Sequence, residues 1–177
     1  MATTYEEIIG FLNEEEIGVA DLRESETKAI VVRFTKGEDD DMPETVFIKL
    51  AENGEFVHFF EPQRYKYAEG EHKEKVLETL LAIQWESKML QWEYDPQDGE
   101  IRACIELPLE DAKLTKRLFL RVLKGLVDMM DTYHARIKQV METGEDSGPV
   151  DPNSQRIAML EAMLAKLRGE EPVPETV

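Results

Sequence analysis

Cysteine is all but missing from this chain. Cys104 is the single one in 177 residues, which excludes an internal disulfide and leaves no zinc-type ligand spacing. Basic residues are scarce too: twenty-one Lys and Arg stand against thirty-eight Asp and Glu, for a net charge of −17. A field of that sign repels phosphate backbones and anionic bilayers, so neither nucleic acid nor membrane is an expected partner. No uncharged apolar run approaches the ~20 residues that span a bilayer, and MATTYEEIIGF lacks the basic start of a secretory signal, so a cytoplasmic location is expected. A P-loop, a GxGxxG fingerprint and an internal repeat are also absent. What is present is 42% hydrophobic residues, enough to build one sizeable core.

Thr4 and Glu7 form a capping box ahead of Tyr5, Ile8, Ile9 and Leu12, which share one helical face, so a first helix is predicted from Thr4 to Glu14. Four short β-branched and aromatic runs follow: Ile17 to Leu22, Ala29 to Phe34, Thr45 to Leu50 and Glu55 to Phe60. Asn53-Gly54 stands between the last two where a type I′ hairpin needs two residues at positive φ. The period then changes. From Glu71 to Met89 a second helix is expected, with Leu77, Leu80, Leu81 and Trp85 on one face.

Alternation resumes on both sides of DPQDGE, through Leu90, Trp92 and Tyr94 and then Ile101, Ala103, Ile105 and Leu107. The three acids and the glycine between these strands invite a metal reading. Calcium needs further oxygens at fixed offsets and a closing bidentate glutamate, and Arg102, Ala103 and Cys104 supply none. Asp95-Pro96 and Asp98-Gly99 are instead the pairs that tight connections use, so the segment is predicted to be a turn.

A third helix is expected from Leu114 to Glu142. Its seam is Phe119, Leu123, Leu126, Met130, Tyr133, Ile137 and Val140, and at ~1.5 Å per residue it outruns a small domain, so its last turns need cover. After the loop TGEDSGPVDPN, Ile157, Leu160, Leu164 and Leu167 mark a fourth helix, able to supply that cover in an αα-hairpin or across a dimer. The expected organisation is a domain at 1–142 and a linker, helix and frayed tail at 143–177. The fold class is α+β, an antiparallel sheet with helices packed on one side, in the order α-β-β-β-β-α-β-β-α, plus a C-terminal helical extension.

Chemistry is hard to assemble from these residues. Cys104, His58, His72 and His134 are the pieces of a nucleophilic triad, yet no electropositive helix terminus or CxxC partner accompanies the thiol. His58 shares a strand face with Phe56 and Phe60 and is read as a packed or edge histidine, with a pocket near it as the alternative of a small hydrolase or ligand-responsive regulator. His72 and His134 are read as surface residues. GEDDDM is read as a solvated loop. No catalytic residue, cofactor or metal is expected. Phe47, Phe56, Phe59, Phe60, Trp85, Trp92 and Tyr94 are read mostly as core, with a residual apolar patch left for a peptide or a dimer.

The element order, the aromatic strand running into an acidic Asp-Gly turn, the strand closing on LPL at Leu107 to Leu109 and the long helix opening with LTKRLF resemble the YbjN family of bacterial sensory transduction regulators. The likeness covers roughly Thr4 to Tyr133. That family's fold is similar to the type III secretion chaperones, small acidic and commonly dimeric proteins that hold segments of another protein on an α/β surface. The resemblance implies a non-enzymatic protein-binding module, a homodimer, with a partner segment held on apolar sheet and helix surfaces. The candidate contacts are Phe47, Phe59, Tyr133, Ile137, Val140, Ile157, Leu160 and Leu164. The family brings no catalytic residues to carry over.

Overall fold

The computed structural model describes residues 2–35 and 42–149. The chain divides into a unit Met1–Ser147 and a unit Gly148–Val177, and all described helices and strands belong to the first. The acidic loop up to Asp41 and the expected fourth helix lie outside the described residues. The order is α1 (Tyr5–Glu14), β1 (Val19–Leu22), β2 (Ala29–Phe34), β3 (Glu44–Ala51), β4 (Phe56–Lys66), α2 (Lys73–Glu86), β5 (Gln91–Tyr94), β6 (Glu100–Pro108) and α3 (Lys116–Thr143). The α+β class and the element order are as the sequence patterns predict.

The six strands make one antiparallel sheet in the order β1-β2-β3-β4-β6-β5. Side chains alternate between its faces, so the register assigns each residue to one of them. Ile30, Ile48, Phe59 and Ile105 lie in one row across four strands, facing the helices and fully or almost fully buried. Phe119 of α3 packs between Phe59 and Phe11 of α1, with ring centroids 5.6 and 5.7 Å apart. Val76, Leu80 and Ile83 of α2 join the same core. All three helices therefore cover one face of the sheet.

Local chemistry explains the elements. Thr4 Oγ1 accepts from Glu7 N at 3.2 Å while Glu7 Oε2 accepts from Thr4 N at 3.1 Å, which is the capping box. In α3, Phe119, Leu123, Leu126, Met130, Ile137 and Val140 are all buried, so its seam is a core seam. The DPQDGE segment is a turn: Gly99 N donates to Asp95 O, and the Asp95 and Asp98 carboxylates accept from Gln97 N and Glu100 N at 2.8 and 3.0 Å. Gly99 has φ +78°, and a Cβ there would sit 2.2 Å from Ala68 N, so only glycine fits.

Three expectations about the elements need correction. The β3-β4 connection is not a two-residue hairpin, because Ala51 pairs with Phe56 and Glu52–Gly54 forms a 3-10 turn between them. Thr3 N donates to Gly54 O at 3.0 Å, so the chain's first residues close over this turn. Strand β4 also continues well past Phe60 despite Pro62. A bulge between Glu61 and Tyr65 absorbs the proline, and the Glu61 and Glu100 carboxylates accept from Thr45 N and Gln63 N in place of ladder partners. Finally, the second helix does not present Leu77, Leu80, Leu81 and Trp85 as one inward face. Leu80 enters the core with Val76 and Ile83, whereas Leu81 and Trp85 point outward.

Candidate binding surfaces

The sheet face opposite the helices carries a second apolar row. Val31 pairs with Phe47, Phe47 with Phe60, and Phe60 with Cys104. Over this row no described element packs. Phe60 is nonetheless only 7% exposed, because its neighbours fold onto it. Phe47 lies against its ring with centroids 5.6 Å apart, His58 stacks at 4.5 Å, and the Lys49 and Arg102 head groups sit 5.4 and 5.8 Å from its centre. Arg102 is in turn ion-paired with Glu93 across the β5-β6 ladder. The result is an aromatic strip framed by both signs of charge, in a chain whose net charge is −17.

Electrostatics on this face oppose nucleophilic chemistry. Burial, and then the charges of Glu93 and Glu106, push the Cys104 thiol up to about 12, so it stays protonated at neutral pH. Burial likewise holds His58 below the ordinary histidine value, and its Nε2 is buried with no hydrogen-bond partner. The two share one face, since His58 pairs with Glu106 and Cys104 with Phe60. At neutral pH the favoured forms there are the thiol and the neutral imidazole. Beside the DPQDGE turn a polar cleft of about 310 Å³ holds three carboxylates, each already engaged: Glu93 by Arg102, Asp95 by Gln97 N and Glu100 by Gln63 N. Among the described residues no three His, Cys, Asp or Glu side chains converge as a metal-holding group.

The candidate contacts among the described residues do not gather into one surface. Phe47 is half-buried on the open face, while Tyr133 is half-buried on α3, on the far side of the sheet. Phe59, Ile137 and Val140 have no exposed surface at all, so a partner cannot reach them without opening the core, which corrects their reading as contacts. Ile157, Leu160 and Leu164 lie outside the described residues. His134 and His72 are not free surface residues: His134 Nδ1 is hydrogen-bonded to the Tyr65 hydroxyl at 2.9 Å, and the half-buried His72 ring lies against Gly144.

Sequence patterns missed two features. Trp85, read as core, is 90% exposed and Leu81 is 66% exposed, which makes α2 apolar on its outer side as well. The signal was there, since Leu77, Leu81 and Trp85 recur every four residues beside the inward set Val76, Leu80 and Ile83. The second is Arg136, buried on α3, whose guanidinium meets Asp146 at 2.5 and 2.9 Å and Glu86 at 2.7 Å. It ties the end of α2 and the segment after α3 to the C-terminal third of α3. A long-range trio of this kind leaves no periodic trace.

No protein-family model matches the chain, and no curated protein matches it by sequence. Among solved structures it is similar to YbjN from E. coli, a proposed transcription regulator, with a TM-score of 0.57 and 13% identity over 80% of this chain and 94% of that one. The fold is YbjN-like. At this identity the likeness is one of architecture and speaks for no residue's role. No described helix is long and apolar enough to cross a membrane.

Proposed function

We propose that this chain is a non-enzymatic, cytoplasmic protein-binding module of the YbjN kind, which holds an apolar segment of a partner protein in a chaperone-like manner on the open face of its sheet. The observation that carries this reading is the Val31–Phe47–Phe60 row, left uncovered by every described element and bordered by Lys49, Arg102, Glu93 and Glu106. Aromatic side chains ringed by charges of both signs suit a peptide, because burying the rings supplies affinity while the charges and the flanking polar groups fix its register. A field of −17 directs the surface towards proteins rather than nucleic acid.

The test is a quantitative pull-down from native extract with mass spectrometry, comparing the wild-type chain with Phe47→Glu. Phe47 is only half-buried and contributes little to the helix-side core, so the variant is expected to fold. One partner recovered near stoichiometry by the wild type and lost by the variant supports the reading. Equal recovery by both chains, or no partner for either, overturns it.

A further inference from the structure

Bases are scarce in this chain, yet they crowd one short stretch of it. Between Asp111 and Asp128 stand Lys113, Lys116, Arg117, Arg121 and Lys124, with no acid among them. Two of these are committed to α1: Lys113 pairs with Glu7 at 3.2 Å, and Lys116 pairs with Glu14 and Glu15 at 2.8 and 2.6 Å. Arg117, Arg121 and Lys124 follow at steps of four and three, which keeps them on one face of α3. All three are exposed, and none forms an ion pair among the described residues. In a chain with thirty-eight acids they are a local excess of positive charge.

Lys124 also stands at the rim of an apolar groove of about 430 Å³ on the helix side of the sheet. Ile17 after α1, Phe34 at the end of β2, and Leu120, Leu123 and Val127 of α3 form its walls. Leu123 is buried and the other four are half-buried and packed against the core, so the walls are preformed. The volume lies within the range of about 300–1,000 Å³ in which proteins hold small molecules. Of the charged residues at the rim, Glu15 is held by Lys116, while Lys124 and Asp128 form no ion pair among the described residues. Asp128 lies one turn after Lys124 and Arg121 one turn before it, so the cations gather towards the start of α3. We propose that this groove binds a small amphipathic carboxylate, its aliphatic body against Phe34, Leu120 and Val127 and its carboxylate on Lys124, with Arg121 a turn away. The apolar walls supply affinity and the cation selects the head group. An amine of the same shape meets a like charge, and an alcohol leaves the ammonium without a counter-charge.

Titration calorimetry on the full chain tests this with octanoate, octylamine, octanol and acetate as probes. Wild type is expected to bind octanoate saturably, about tenfold more tightly than octanol or octylamine, and to ignore acetate, which has no body to bury. Lys124→Glu is expected to weaken octanoate about tenfold and to strengthen octylamine, reversing the order of the two. That exchange of preference is the decisive readout, because a damaged chain cannot gain affinity for the amine. Val127→Trp fills the groove and should abolish octanoate binding at an unchanged melting temperature. Equal binding of acid and alcohol by the wild type overturns the proposal, as does octanoate binding that survives Val127→Trp, or no saturable binding of octanoate. Vesicles of anionic phospholipid are expected to stay unbound. Binding to them without binding to octanoate overturns the proposal and gives the cations to a lipid surface instead. The groove and the Phe47 row lie on opposite sides of the sheet, so Phe47→Glu should leave octanoate binding unchanged, and the two sites fail separately.

Discussion

The two faces of the sheet hold similar apolar side chains and meet different fates. On the helix side, Ile30, Ile48, Phe59 and Ile105 are closed under Phe119 and its neighbours, with no polar side chain in the row. On the other side, Val31, Phe47 and Phe60 stand in an equally regular row, but Lys49, His58, Arg102 and Glu106 surround them. Phe59 and Phe60 are consecutive, both aromatic and both buried, yet one is buried by helices and the other by the stems and head groups of charged residues. Burial alone does not define a core. What surrounds the ring decides whether its surface is committed to folding or held in reserve for a partner.

The largest effect expected from this contrast is on stability. Phe59→Ala opens a cavity under α3 and should cost about 3–5 kcal/mol, while Phe47→Ala, on the open face, should cost less than about 1 kcal/mol, both read from urea midpoints at constant slope. Equal losses would mean that the open face is covered in solution.

Next in size is Arg136, which lies outside the sheet and holds α2 and α3 together. Arg136→Ala leaves the Glu86 and Asp146 carboxylates facing each other without their cation, and a loss of about 3 kcal/mol is expected in the same measurement. Adding Asp146→Asn should recover part of that loss. Failure to recover any would show that the guanidinium acts by packing rather than charge.

The smallest effect reports on the open face alone. Burial holds His58 below the ordinary value of about 6.5, with the charge of Glu106 pulling partly the other way. The unfolded chain therefore binds a proton that the folded chain resists, so this contribution is complete above about pH 6.5 and declines as the pH falls below it. Between about pH 7.5 and about pH 5.5 the wild type should lose more stability than His58→Gln. Identical losses would show that the ring is as solvated folded as unfolded.

Much of this architecture was legible in the order of residues. The capping box at Thr4 and Glu7, the seam of α3 from Phe119 to Val140 and the Asp-Gly turn each rest on local geometry, which local sequence reports. The strand past Pro62 was not legible, because the bonds that carry it across the bulge come from Glu61 and Glu100, and Glu100 is brought there only by the β4-β6 pairing. The outward stripe of α2 was misread for another reason: helical period identifies apolar faces but does not say which one the sheet receives, and α2 has two. The candidate surface was half legible, since Phe47 stood among the expected contacts while Phe59, on the partner strand, belongs to the core. A strand with large apolar groups on both sides offers no internal clue to which face the helices will take.

The strand order carries a consequence for how the molecule forms. Strands β1 to β4 are neighbours in the sheet in the same order as in the sequence, so each pairs with its predecessor across a short stretch of chain. Strand β6 must instead find β4 across the whole of α2 and β5, and loop-closure entropy opposes that search until the contacts are made. Folding is thus expected on about the millisecond-to-second scale of non-local β pairing rather than the microseconds of a helical bundle. The residue best placed to time it is Phe59, which pairs early-accessible Ile48 on one side and late-arriving Ile105 on the other.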